Sequence, residues 1–246
     1  MRNLKFTVRY DGTDFFGWQT QPGFRTVQET LEAAISSITQ EQRVRVNCSG
    51  RTDSGVHAYG QVCNFYSGTR LEPATLVKAV NARLPEDVAV LDCEVMGQAF
   101  DANKDAIAKR YRYVINDNRI PDPFLRRYAY QPRRQVDHAV MHRAAQALRG
   151  RHDFRCFETE WPNRLTSIRT IQDIAVTRHE QCVWVEVQAD GFLYNMVRAI
   201  AGTLYHIGRG YWPESKMREV LEGQDRREAG PTAPAHGLVM LWVRYS

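Results

Sequence analysis

The chain is poor in cysteine and has no long apolar run, and both features exclude classes of protein. Its five cysteines are widely spaced, odd in number and form no C-x-x-C pair, which argues against a disulfide framework and a zinc ribbon. The apolar run 238–243 is far shorter than the roughly 20 residues that cross a bilayer. Residues 1–8 lack the apolar segment of a signal peptide. We therefore expect a cytoplasmic protein with reduced cysteines and no membrane association.

Several catalytic and ligand-binding motifs are missing as well. No G-x-S-x-G elbow is present, so a Ser-His-Asp hydrolase has no support. Residues 50–57 have two glycines at the spacing of a P-loop but lack its Lys and Ser/Thr. His138 and His142 stand one helical turn apart, but Ala139 occupies the position where a zinc protease has glutamate. The sequence therefore favours neither a nucleotide site nor a metal site.

What the chain does have is an ordinary globular composition and an uneven charge. Its 246 residues, 43% hydrophobic and 25% charged, exclude a disordered chain and suffice for one large domain or two smaller ones. The net charge is +5, but residues 104–155 carry 13 Lys and Arg against 5 Asp and Glu. Arginine supplies 28 of the 33 basic residues, which suits phosphates and stacked bases, although genomic base composition explains that bias equally well.

Hydrophobic periodicity predicts the same order of elements, β-α-β-β-α-β, in each half of the chain. The first half has predicted strands at 4–10, 44–48, 61–66 and 87–95, with helices beginning at 26 and 73. The second has strands at 108–115, 171–178, 182–189 and 238–245, with helices at 137–148, 193–207 and 214–221. We expect an α+β protein with two tandem ferredoxin-like halves, residues 1–103 and 104–246. Together they form a mixed, mainly antiparallel sheet with helices on one face and a ligand on the other.

The loop at 49–58, between two predicted strands, is the most informative stretch. Its flanking glycines permit backbone angles that direct Arg51 and Asp53 into one space. An ordinary hairpin-like loop, in which Asp53 caps the turn, fits the same residues. On the pattern alone, the ordinary loop is the favoured interpretation.

Two features of the second half are typical of nucleic-acid binding or a functional loop, and a third, Arg198, is typical of an exposed helix surface. The predicted strand at 108–115 places Tyr111 and Tyr113 on one face with three basic residues around them, a pattern that offers phosphate contacts and base stacking. Residues 116–135 contain three prolines and five arginines and form a long loop, a kind that is usually functional or disordered. Arg198 points away from the apolar stripe of its helix, as a solvated surface arginine does.

The segment Gly-Arg-Thr-Asp-Ser-Gly-Val-His at 50–57 resembles the catalytic signature of the tRNA pseudouridine synthase A family. The resemblance covers most of the chain, through residues 10–13, 17–19, 83–85, 109–113, 152–154, 192–198 and 233–238. Two departures are Ser54, where the family often has alanine, and Asn195, where the family varies. Both lie beside matching residues.

This resemblance implies isomerisation of uridine to pseudouridine at positions 38, 39 and 40 of the tRNA anticodon stem-loop. It implies a homodimer that needs neither a cofactor nor a metal and binds tRNA in a cleft on the open sheet face. By the same resemblance, Asp53 is the catalytic nucleophile and Arg198 pairs with it. Tyr111 contacts the target uracil, and Arg51 helps to displace the target nucleotide from the stem.

Two other functions remain as alternatives. A catalytically silent RNA-binding or tRNA-chaperone module accounts for the basic residues and the aromatics. It leaves Asp53 unexplained, because an anion in an RNA groove opposes binding. A glycosidase with paired carboxylates lacks an obvious second acid.

Overall fold

Nine strands and five α-helices follow one another along residues 1–159 and 166–246, which are the residues that the computed structural model describes. The α+β prediction is therefore confirmed. The described chain divides into unit 1, Met1–Ile107 with Val239–Ser246, and unit 2, Ala108–Leu238. The division of the chain into residues 1–103 and 104–246 stays a prediction.

Every predicted element is present in the predicted order along the chain, with one additional strand, Gly150–Asp153. The chain begins with β1 Arg2–Tyr10, α1 Val27–Thr39, β2 Asn47–Cys48, β3 His57–Ser67, α2 Pro73–Asn81 and β4 Val88–Met96. It continues with β5 Ala106–Asn116, α3 His138–Ala145, β6 Gly150–Asp153, β7 Ile168–His179, β8 Cys182–Ala189, α4 Met196–Gly208 and α5 Lys216–Gly223. The last strand, β9 Leu238–Tyr245, returns the chain to unit 1. None of the described helices has the length and apolar character to cross a membrane.

Two of the boundaries that differ from the predicted ones do so for identifiable reasons, and one strand is additional. The strand predicted at 44–48 is reduced to Asn47–Cys48, because the amides of Val44 and Val46 bond to side chains of α1 instead of a strand. The helix predicted from 193 begins at Met196, since Asn195 before it has φ +63°. The short strand β6 was not predicted at all.

The sheet of unit 1 has the strand order expected of a ferredoxin-like unit. Strand β1 pairs antiparallel with β4 on one side and with β3 on the other, and β2 pairs antiparallel with β3. Strand β9 pairs parallel with the start of β3, where His57 lies opposite Val239 and Ala58 opposite Met240. The predicted mixed, mainly antiparallel pairing is confirmed here.

The core of unit 1 lies between this sheet and two helices that contact each other. Phe6 and Phe65 from neighbouring strands meet edge to face at 4.9 Å. Thr26 caps α1 by accepting a hydrogen bond from the Glu29 amide, as the capping-box spacing predicts. The helices contribute buried residues at helical spacing, namely Val27, Leu31, Ile35, Leu76 and Val80.

Unit 2 also packs helices on an antiparallel sheet, and it has three α-helices where unit 1 has two. Strands β5, β8, β7 and β6 pair antiparallel in that order. Helices α3, α4 and α5 contact one another, and α3 packs on β7. Tyr111 and Tyr113 of β5 are both buried, which confirms that they share one face of the strand.

Candidate active site

The loop between β2 and β3 carries two of the four predicted site residues, and Gln61 fixes its entry. The Gln61 side chain is fully buried. Its Nε2 donates to the Gly50 carbonyl at 2.7 Å, and its Oε1 accepts from the Ser49 hydroxyl at 2.7 Å and from the Val62 amide at 3.1 Å. The first residues of the loop are therefore held by the strand that follows the loop.

The segment that precedes α1 holds the centre of the loop, at Thr52. The Trp18 amide donates to the Thr52 carbonyl at 3.0 Å, and the Tyr10 and Thr52 hydroxyls lie 2.8 Å apart. Burial raises the pKa of Tyr10, so its hydroxyl stays neutral. Gly17 adopts φ +82°, and a Cβ there would lie 2.8 Å from the Thr52 carbonyl oxygen. The residue directly before Asp53 is thus fixed by hydrogen bonds and by a close backbone contact.

The turn after β1 holds the end of the loop. The Gly12 amide donates to Nδ1 of the buried His57 at 3.0 Å, and an Asp11 carboxylate oxygen lies 3.1 Å from the same nitrogen. That oxygen also accepts from the amide and the hydroxyl of Thr13. A Cβ on Gly12 would lie only 2.0 Å from the Val56 carbonyl oxygen. Glycine is required at position 12 by this close approach.

Arg51 and Asp53 lie between these anchors. Arg51 is exposed and Asp53 is half-buried. The Val56 amide donates to the Asp53 carbonyl at 3.1 Å, which closes a turn in which Gly55 has φ +78°. The carboxylate therefore projects from a turn whose entry, centre and end are each anchored.

Tyr111 occupies a buried position on β5 in unit 2. Its side chain is 7% exposed, and its ring packs edge to face against Phe192 at 5.0 Å. Phosphate contacts from the neighbouring cations stay a prediction, and two of these cations, Arg110 and Arg112, already have a partner within unit 2. Both bind Glu186 on the adjacent strand, at 2.7 and 2.6 Å. Although burial opposes ionisation of Glu186, the hydrogen bonds from the two arginines hold its pKa below the ordinary value.

Arg198 is half-buried on α4, so its interpretation as a solvated surface arginine is wrong. Its Nε donates to the Ala233 carbonyl and one terminal nitrogen donates to Asn195 Oδ1, both at 2.8 Å. The next residue of that segment, Pro234, accepts from the Tyr113 hydroxyl at 2.8 Å. Burial raises the pKa of Tyr113, and nearby Arg198 partly opposes this shift. Residues 233–234 thus connect the arginine on α4 with Tyr113 of β5.

The structure places the predicted site residues in two sets. Arg51 and Asp53 share one loop of unit 1, whereas Tyr111 and Arg198 belong to unit 2. The pairing of Arg198 with Asp53 and the contact of Tyr111 with uracil stay predictions. No group of three His, Cys, Asp or Glu side chains in residues 1–159 and 166–246 is arranged to hold a metal.

Sequence reasoning missed the residues that hold the Asp53 loop. Gly12, Gly17 and Trp18 lie in segments that the family resemblance covers, but nothing in their spacing indicates a contact with residues 34 to 45 positions later. Gln61 lies within a predicted strand, where a buried glutamine has no distinctive pattern.

Comparison with known proteins decides the family. The family model described as tRNA pseudouridine synthase matches residues 7–103 and 144–246. The chain belongs to this family. The tRNA pseudouridine synthase A of Acetivibrio thermocellus is 40% identical over 245 residues, which cover 100% of both chains. That of Shouchella clausii is 41% identical over 100% of this chain and 94% of its own length, and a tRNA pseudouridine synthase A 2 of Clostridium perfringens is 39% identical over 100% of both.

Some candidate residues of this tRNA pseudouridine synthase family member lie inside the ranges that the family model matches, and others lie outside them. They include the whole Asp53 loop, the segments that anchor it, and Arg198 with residues 233–234. They do not include residues 104–143, which contain Tyr111 and the whole arginine-rich loop at 116–135.

Proposed function

We propose that this protein isomerises uridine to pseudouridine at positions 38, 39 and 40 of the tRNA anticodon stem-loop. Family membership supports the reaction, and the names of the relatives support tRNA as the substrate. The observation that carries the proposal is the Asp53 loop, because three separate sets of contacts fix a half-buried carboxylate within the matched range.

The reaction breaks the N-glycosidic bond of uridine, turns the base and rejoins it through carbon. Asp53 is the nucleophile, and either ribose C1′ or uracil C6 is chemically open to its attack. A carboxylate held in place before the substrate arrives needs little reorganisation during the reaction, and misplacement by about 1 Å can cost roughly 100-fold in rate. The anchors at Gly50, Thr52 and His57 supply this fixed placement.

Arg198 pairs with the Asp53 carboxylate and favours its ionised form, since an adjacent positive charge offsets the cost of burying an anion. Its hydrogen bonds to Ala233 and Asn195 fix the plane of the guanidinium. Tyr111 contacts the uracil from a position that Phe192 supports.

Arg51 displaces the target nucleotide from the stem. A stem nucleotide is stacked and paired, so extruding it costs a few kcal/mol. An exposed arginine on a fixed loop is suited to occupy the vacated position, because a guanidinium stacks on bases and binds phosphates.

We further propose that the enzyme is a cytoplasmic homodimer that works without a cofactor. The isomerisation involves no redox change and transfers no group between molecules, so the carboxylate and its neighbours can supply the chemistry.

Mapping pseudouridine in an unmodified tRNA transcript after incubation with the protein tests the proposal. Asp53→Asn should lower the rate at saturating tRNA by at least about 1,000-fold and leave the Kd for tRNA nearly unchanged, since the lost charge serves the chemistry. Asp92→Asn, which alters an exposed aspartate of the same unit, is the matched control and should keep wild-type activity.

Three outcomes would contradict this assignment. Substantial turnover by Asp53→Asn would remove the nucleophile role. Wild-type protein that binds tRNA but forms no pseudouridine would indicate the RNA-binding module. Release of free uracil would indicate the glycosidase.

A further inference from the structure

The loop at residues 119–134, between β5 and α3, presents two large apolar side chains to solvent. Ile120 is 82% exposed and Phe124 is 88% exposed. Scattered surface apolar residues are ordinary, but these two lie four positions apart on one loop. This loop falls within residues 104–143, outside the family match.

A network of side-chain hydrogen bonds builds the tip of the loop around Asp122. The Asp122 carboxylate accepts from the Phe124 amide at 2.8 Å and from Gln181 Nε2 at 3.1 Å. Gln131 joins the two arms of the loop, because its Oε1 accepts from the Asp122 amide and its Nε2 donates to the Asp122 carbonyl. Phe124 is therefore held outward on a defined turn, Pro123–Leu125.

The base of the loop is equally well attached to the fold. Backbone hydrogen bonds of 2.9 Å join Tyr130 to Val114 and Asn116 on β5. Asp117 accepts from the Val136 amide at 2.9 Å and forms an ion pair with Arg178 at 2.8 Å. The exposed tip thus stands on a buried, hydrogen-bonded base.

The surface around the tip is strongly positive. The loop contains five arginines, at 119, 126, 127, 133 and 134. Arg119, Arg133 and Arg134 line an open concavity of about 620 Å³. None of these three forms an ion pair or a side-chain hydrogen bond with any residue in the described part of the chain. The two aspartates of the loop region are already engaged, Asp117 by Arg178 and Asp122 by Gln181.

We infer that the 119–134 loop binds unpaired nucleotides of the RNA substrate, with Phe124 stacked on a base and the arginines on the flanking phosphates. This inference rests on the proposed function and names a second region of contact for the same substrate. An exposed aromatic ring on the same loop as exposed arginines matches the two surfaces that a single strand offers, a π-face and a charged backbone. A second copy of the chain fits less well, since tip-to-tip contact would oppose like charges.

The test compares variants of Phe124 for binding to an unmodified tRNA transcript. Phe124→Ala should weaken the Kd by roughly tenfold, the size of effect typical for loss of one base–aromatic contact. Phe124→Trp should restore most of the affinity because indole also stacks. Leu91→Ala, which removes an exposed apolar side chain of unit 1, should bind as the wild type does. On a fully paired RNA duplex, Phe124→Ala and wild type should bind equally.

The inference is overturned if Phe124→Ala binds tRNA as tightly as wild type, or if it loses equal affinity for the duplex. Failure of the tryptophan variant to restore binding also overturns it. A fall in particle mass on sedimentation of Phe124→Ala would assign the tip to a contact between copies instead. Pseudouridine formation by the wild type is measured separately, so failure of the proposed reaction is distinct from failure of this binding site.

Discussion

Two loops of this protein differ in how they are anchored and in how far their functional side chains are exposed. The loop at 49–57 is anchored through buried partners, among them Gln61, Thr52 and His57, and it holds a single half-buried carboxylate. The 119–134 loop is anchored at its base and around Asp122, and it leaves Phe124 and its five arginines exposed. The difference suits two tasks. Chemistry needs one group placed within a fraction of an ångström, whereas binding a polyanion needs charge and stacking area over a wide surface.

The largest effect is expected when the Asp53 loop is displaced while its polar groups are left unchanged. Gly12→Ala puts a Cβ about 2.0 Å from the Val56 carbonyl oxygen, so the backbone must shift. We expect kcat to fall by about 100-fold or more, with the Kd for tRNA changed by less than about threefold. Single-turnover kinetics and filter binding measure the two quantities.

Gly97→Ala is the matched control, because a Cβ at position 97 meets nothing within 4 Å. It should keep wild-type kinetics. Gly12→Ala with unchanged kcat would show that the loop tolerates displacement, and the anchoring argument would then fail.

The second prediction concerns the 119–134 loop, where we expect a change in the Kd for tRNA instead of a change in kcat. Replacing Arg133 and Arg134 together with alanine should weaken tRNA binding about tenfold at low salt. It should also make the slope of log Kd against log salt shallower by roughly one to two. Binding with fewer phosphate contacts releases fewer counterions from the RNA. Arg227→Ala removes an arginine that pairs with Asp225 on the surface and should leave the slope unchanged. An unchanged slope in the double variant would mean that this part of the loop does not touch RNA.

The smallest functional effect is expected at the base of the exposed loop. Asp117→Asn breaks the pair with Arg178 and should lower the free energy of unfolding by about 1–3 kcal/mol at pH 7. Burial opposes ionisation of Asp117, but hydrogen bonds from Arg178 and Val136 keep its pKa below the ordinary value. A depressed pKa gives stability that is complete above the unfolded value of about 3.9 and is lost as pH falls through the folded value.

The advantage of the wild type over Asp117→Asn should therefore begin to fall below about pH 4 and be smaller at pH 3 than at pH 7. Urea unfolding at pH 7 and at pH 3 measures this, with Asp92→Asn as an exposed control. An advantage of equal size at both pH values would contradict the ionic role of Asp117.

The sequence predicted the fold well where periodicity and local signals agree. The cap at Thr26 and the strand 182–189 are examples, since each depends on residues close together in the chain. Strand β6 was not predicted because its four residues, Gly-Arg-His-Asp, do not alternate between apolar and polar side chains. The ion pairs of Arg110 and Arg112 could not be predicted from local signals, because their partner, Glu186, lies on a strand some 75 residues later.

The candidate site shows the same limit. A helical wheel places Arg198 on an exposed face, but a segment 35 residues later covers it. The roles of Asp53, Arg51, Tyr111 and Arg198 came from the family resemblance, since no spacing rule distinguishes a catalytic aspartate from one that caps a turn. The contacts that position Asp53 could not be predicted from the sequence and are seen only in the folded structure.

The most direct test of the contrast between the loops measures the rate at saturating tRNA and the Kd for Asp53→Asn and for the Arg133/Arg134 double alanine variant side by side. We predict that the first variant loses pseudouridine formation and keeps tRNA affinity. The second should lose affinity about tenfold and recover most of the wild-type rate once tRNA is saturating. Equal losses of rate and affinity in both variants would contradict the separation of chemistry from binding.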